Sequence, residues 1–143
     1  MSDPKTANIQ RWFGEVWNAK KPEVVRELLA ADAVMHGITH TGADVKGPDE
    51  FLKLHSELVT AFPDIQFQLH ECFGSGDYAC IRWTATMRHT VPGLGIAPTN
   101  APVQIGGIGI ARFQNGKVVE TWDNWDRLAM FQQIDAATKA MSA

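Results

Sequence analysis

The chain has 143 residues, of which 45% are hydrophobic and 20% charged, and its formal net charge is −3. That length suits one compact domain over residues 1–143, since dividing it would leave two poorly cored halves. The slightly acidic balance and the scattered basic residues exclude a nucleic-acid footprint and a membrane-surface patch, and every apolar run is too short to span a bilayer.

The chain starts Met1-Ser2-Asp3-Pro4, without the basic and then apolar pattern of a secretory leader, so the expected location is cytoplasmic. Ile9, Trp12, Phe13, Val16 and Trp17 recur at the spacing of an amphipathic helix. Pro22 marks a first helical position, and Val24, Val25, Leu28 and Leu29 form a second short stripe. A strand is expected over Ala33 to Thr39, then a loop. Gly47-Pro48-Asp49-Glu50 opens a third helix with acidic residues near its positive end. Its stripe is Phe51, Leu54, Leu58 and Phe62, and Pro63 stops it.

The period then changes from 3.6 to 2. Ile65, Phe67 and Leu69 alternate with Gln66, Gln68 and His70, the pattern of a half-buried strand. Gly74-Ser75-Gly76-Asp77 turns the chain into a long strand from Tyr78 to about Thr90. A Pro- and Gly-rich loop covers Val91 to Pro102, and a further strand runs to Phe113. Asn115-Gly116 is a two-residue hairpin signal that returns the chain as Val118 to Trp125. Asp126 is placed to cap a last helix bearing Leu128, Phe131 and Ile134. The tail from Thr138 to Ala143 is expected to be loose. Cys72 and Cys80 are the only cysteines. They read as two buried thiols in a reducing compartment, with a cross-hairpin disulfide as the alternative. Helices first, antiparallel strands second and a closing helix last make an α+β fold, a curved sheet with helices on one face.

Several short signatures stand in order along this pattern. They are Trp17-Asn18, Gly47-Pro48, Phe62-Pro63-Asp64, Gly76-Asp77, Arg88-His89, Pro98-Thr99, and the run from Asn115 to Glu120 that leads into Asp123 and Asp126. In this series the chain resembles the SnoaL-like polyketide cyclases of the nuclear transport factor two-like superfamily. The resemblance implies a cone-shaped barrel, in which a curved, mostly antiparallel sheet wraps a long N-terminal helix around a pocket. It also implies a homodimer and an intramolecular aldol closure of a small hydrophobic ester or ketone, with no cofactor and no metal. The same fold hosts isomerases, epoxide hydrolases and binding modules, so an epoxide hydrolase and a non-catalytic binding module stand as alternatives.

Asp123 aligns with the acid/base aspartate of those cyclases. The chemistry needs a carboxylate of raised pKa to take a proton from carbon between two carbonyls, and burial supplies the rise. Strand parity places Asp123, Thr121 and Val119 on one face, and Trp122 and Glu120 on the other. Across the hairpin, Gly107, Gly109 and Ala111 share a face, which leaves room for a ligand if it is the face of Asp123. The anthracycline cyclases carry a glutamine and a histidine at the places of Gly107 and Gly109, so a different oxyanion donor or a different reaction is implied, and Gly109→His is expected to favour their substrates. The substrate contacts expected from the resemblance are Trp17, His36, Arg88 and His89, and Trp122 joins them as a neighbour of Asp123 in the chain. His36 and His40 could share a strand face but lack a third metal ligand. His55 reads as a packed helix histidine. Tyr78, at a strand start, is poorly placed as an oxyanion donor. The polar face Gln66, Gln68 and His70 is the expected dimer contact.

Overall fold

In the computed structural model, which describes residues 3–92 and 97–142, six strands form one mixed sheet. They are β1 (Leu29–His36), β2 (Val45–Lys46), β3 (Gln66–Ser75), β4 (Tyr78–Arg88), β5 (Pro102–Gln114) and β6 (Lys117–Trp125). Their order is β2-β1-β6-β5-β4-β3, and the two ends do not meet, so the sheet is open. β1 and β6 run parallel, while the other neighbours are antiparallel. Helices α1 (Pro4–Arg11), α2 (Val25–Leu28), α3 (Gly47–Ala61) and α4 (Arg127–Ser142) complete the fold. No helix among the described residues is long and apolar enough to cross a membrane.

Period-two patterning decides which sheet face is covered. Along β4, Ala79, Ile81, Trp83, Ala85 and Met87 are buried while the residues between them are more exposed. In β3, Phe67 and Leu69 are half-buried and Gln66, Gln68 and His70 exposed, as their alternation requires. Asn115 and Gly116 take φ values of 54° and 79°, the left-handed pair that a two-residue hairpin demands. Gln114 and Lys117 pair across that turn. Asp126 Oδ1 accepts from Ala129 N at 2.9 Å and starts α4.

The expected elements shift in several places. The first helix is not regular throughout. After Arg11 it continues as a π-helical segment, Trp12–Asn18, with Ala19 N donating to Gly14 O at 3.0 Å. Trp12, Phe13, Val16 and Trp17 are all buried there. The second helix is short, a 3₁₀ turn (Pro22–Val24) followed by α2, and Leu29 already belongs to β1. β1 ends at His36 because Gly37 turns at φ 79°. β3 extends to Ser75, so the turn shrinks to Gly76-Asp77. The tail expected to be loose is helical through Ser142, and Ala143 lies outside the described residues. Of the loop expected over 91–102, residues 93–96 lie outside them as well.

Cys72 and Cys80 are free. Cys72 pairs with Ile81 and Cys80 with Phe73, one step out of phase, so their side chains leave opposite faces of the sheet. Burial pushes the Cys72 thiol above its ordinary value.

Candidate active site

β6 carries the central group of the covered face. Thr121 and Asp123 point inward with Trp125, whereas Trp122 points outward and is 40% exposed. The parity holds from Glu120 onward but not before it. Arg112 pairs with Glu120 and Phe113 with Val118, so Val119 is the extra residue of a bulge and Val118 takes the buried place.

Gly109 pairs with Asp123, Gly107 with Trp125 and Ala111 with Thr121, so the small residues of β5 do share the face of Asp123. The room they leave is taken by the protein. A Cβ on Gly109 would collide with Asp123 Oδ1 and stand 3.2 Å from its Cγ. One on Gly107 would come 2.6 Å from Trp83 Cε2 and 3.0 Å from Trp125 Cβ. A Cβ on Gly37 would strike the Asp123 carbonyl oxygen. The glycines therefore seat Asp123 and the two indoles against the sheet, and a histidine at 109 would displace the carboxylate it was expected to assist.

The carboxyl opens on a cavity of about 110 Å³ with almost wholly apolar walls. Trp17, Phe51, Phe67, Trp83 and Trp125 build much of that wall. Burial pushes the Asp123 carboxyl from 3.8 up to about 6. The Thr121 hydroxyl works in the opposite direction, although Thr121 Oγ1 has no hydrogen-bond partner of full geometry among the described residues. The indole nitrogen of Trp125 is likewise buried without a partner. A smaller cavity, about 40 Å³, lies on the Thr121 side of Asp123, so this carboxyl lines both.

Trp17 stands in the wall because its surroundings fix it. Its ring lies 4.9 Å from that of His55 and 5.0 Å from that of Phe67. His55 is 3% exposed and donates from Nε2 to Val16 O at 2.8 Å, and burial holds its pKa below the ordinary value. The π-helical turn carries that carbonyl.

His36 and Trp122 occupy the outer face, away from the cavity. Met35 is the inward member of that end of β1 and lines the cavity instead. His36 bridges Asp44 (Nδ1 to Oδ1, 2.9 Å) and Glu120 (Nε2 to Oε2, 2.7 Å), which together raise its pKa, and its ring stacks on Trp122. Arg88 and His89 end β4 and hold the loop that follows. Arg88 Nη1 donates to Asn100 O at 2.9 Å, and fully buried His89 pairs with Thr99 at 3.2 Å and packs on Phe62. Neither belongs to the cavity lining. Tyr78 is exposed on the outer face.

His40 is the lining residue that sequence reasoning placed elsewhere. It shares no face with His36, because Gly37 ends the strand, and it sits exposed at the cavity mouth with its ring 6.2 Å from Phe131. Among the described residues, Asp123 and His40 are the only titratable groups in that lining. Met35 and Trp125 were in reach of strand parity, but the position of His40 depends on a loop with no period to read.

A family model described as SnoaL-like polyketide cyclase matches residues 7–134. No curated protein sequence matches the chain. Among solved structures, the chain is similar to IdmH of Streptomyces antibioticus, described as a candidate polyketide cyclase. The identity is 25%, the coverage 92% of this chain and 98% of that one, and the TM-score 0.79. A candidate SnoaL-like polyketide cyclase of Jannaschia sp. CCS1 shares the fold at 22% identity, with 93% and 92% coverage and a TM-score of 0.83. AclR of Streptomyces galilaeus, described as a candidate hydroxylase, shares it at 24% identity, with 92% and 84% coverage and a TM-score of 0.79.

Proposed function

Because this chain belongs to the SnoaL-like polyketide cyclase family, we propose that it closes a ring in a small hydrophobic ester or ketone by acid/base catalysis at Asp123. The observation that carries this reading is a carboxyl held at about 6 inside an apolar, aromatic cavity. A general base works best when its pKa lies near the working pH, and burial moves Asp123 toward that range.

In this reading Asp123 serves first as base and then as acid. The Asp123 carboxylate takes a proton from carbon flanked by two carbonyls, and those carbonyls delocalise the charge. The enolate carbon attacks a second carbonyl of the same molecule, forming the ring C–C bond. The resulting alkoxide recovers the proton from the Asp123 carboxyl. Trp125, two residues along the same face, brings a buried N–H with no protein partner among the described residues, a donor for the developing oxyanion. It serves where the anthracycline cyclases use a histidine at the place of Gly109. The aromatic walls favour a flat, conjugated substrate.

Asp123→Asn tests this reading. The amide keeps the size of the carboxylate but cannot take a proton, so ligand binding should persist while kcat falls roughly 100- to 10,000-fold on β-keto esters. Loss confined to small epoxides would support the hydrolase instead. Equal background in both proteins across both libraries would leave the binding module.

A further inference from the structure

The inner cavity differs from the outer one in what it could hold. It is about 40 Å³ and lined by Ile9, Leu29, Met35, Ala111, Thr121 and Asp123 among others. Among the described residues, and apart from the indole of Trp12, only Thr121 and Asp123 bring polar side chains to that lining. Thr121 is 7% exposed, and its hydroxyl oxygen is buried without a partner among the described residues. Its cross-strand neighbours are Ala111 and Met35, neither of which can serve it. A buried hydroxyl left so is destabilising, and valine would fill the same volume without that cost.

The nearest polar side chain on that face is Asp123, two residues on. The Thr121 hydroxyl comes close enough to lower the pKa of the Asp123 carboxyl but without full hydrogen-bond geometry, and both groups line the cavity, so a water there can meet both. A buried water needs roughly 10–15 Å³ and at least two polar partners, and this cavity meets both conditions.

We propose that the inner cavity is a buried-water site between Thr121 Oγ1 and the Asp123 carboxylate, which makes Thr121 a positioning residue for the carboxyl. The inference deepens the acid/base reading of Asp123 and rests on it for its catalytic consequence. The water donates one hydrogen to the carboxylate from behind and meets Thr121 on its other side. With one carboxylate oxygen engaged from the inner cavity, the other is turned to the outer cavity and the substrate. Among the described residues, titratable side chains other than Asp123 are absent from this lining, so no other charge competes for the water.

Thr121→Val and Thr121→Ser test the proposal in the full chain. In Thr121→Val the water loses a partner and the ionised carboxylate loses a donor, so the Asp123 titration seen by carboxyl ¹³C NMR should move upward by up to about one pH unit, tenfold in proton affinity. The acid limb of kcat against pH should follow it, kcat should fall and KM should stay near wild type. Thr121→Ser keeps the hydroxyl and should restore both. A crystal structure of the wild type should show ordered water within hydrogen-bonding distance of Thr121 Oγ1 and Asp123, lost in Thr121→Val. An unmoved Asp123 titration in folded Thr121→Val, or a wild-type inner cavity without water, would overturn the proposal. The NMR and crystallographic readouts need no substrate, so they stand even if Asp123→Asn proves fully active.

Discussion

At the scale of single residues, Asp123 is held against its own solvation. Its ordinary pKa of 3.8 becomes about 6 in the fold. The folded state therefore binds this proton more tightly than the unfolded chain, and stability from this group is lost as pH rises from about 4 through 6. Above that window the native state carries a penalty on the order of 2–3 kcal/mol. Asp123→Asn relieves it. We expect the variant to melt several degrees above wild type at pH 8 and the difference to vanish near pH 4, read by thermal unfolding at the two pH values. A variant no more stable at pH 8 would mean that the carboxylate is solvated. The same carboxyl explains the glycines behind it. Strand parity reads Gly109 as spare room, but its missing Cβ is the space in which Asp123 Oδ1 sits.

At the scale of elements, the join between the π-helical segment and the edge strand β3 matters most. Asn18 Nδ2 donates to Phe67 O at 2.8 Å, and Phe67 N donates to Asn18 Oδ1 at 2.7 Å. One side-chain amide thus pairs with a strand as a neighbouring backbone would, at an edge that would otherwise invite another chain. The pairing also sets Phe67 in the cavity wall next to Trp17. Asn18→Ala should cost about 1–3 kcal/mol in urea unfolding, since it leaves a backbone donor and acceptor unpaired. Asn18→Asp should do no better, because it sets a carboxylate against the Phe67 carbonyl. A loss below about 0.5 kcal/mol in both variants would show that water replaces the amide at no cost.

At the scale of the whole molecule, the outer face of the sheet carries an apolar stripe. Trp122 pairs with Ile110, Ile110 with Cys80, and Cys80 with Phe73, a row that crosses four strands. Phe73 and Ile108 are 61% and 60% exposed. The Arg82–Glu71 pair borders the row on one side and Arg112–Glu120, at 3.3 Å, on the other. A second copy is the occupant we propose, since a two-fold axis can oppose charges of both signs around an apolar centre. This stripe, beside the polar face of Gln66, Gln68 and His70, is the better candidate surface. Sedimentation velocity should give a dimer at tens of micromolar for the wild type. The double variant Phe73→Glu and Ile108→Glu should be monomeric with an unchanged circular dichroism spectrum. A monomeric wild type at that concentration would refute the interface.

Much of the fold was legible because it rests on local rules. Period two in Tyr78–Arg88 places Trp83 inside, Asn115-Gly116 makes the hairpin, and Asp126 starts the last helix. The faces of Asp123 and of the β5 glycines coincide only through the bulge at Val119, since the register set by the two-residue turn would otherwise place Asp123 opposite Ile108. The local rules failed where one residue was added and where a parallel partner set the face. The bulge at Val119 reversed the parity behind Thr121, and the parallel pairing of Met35 with Thr121 turned Met35 rather than His36 to the cavity. Neither event leaves a signal along the chain, since both depend on how neighbouring strands pack. The sequence by itself determined the order of elements, the α+β class and the candidate base. Only the tertiary structure decided that His40 shares its cavity and that a second, smaller cavity joins Thr121 to it. The raised pKa of Asp123 belongs to the same list, because desolvation comes from the residues that folding gathers around a group and not from those beside it in the chain.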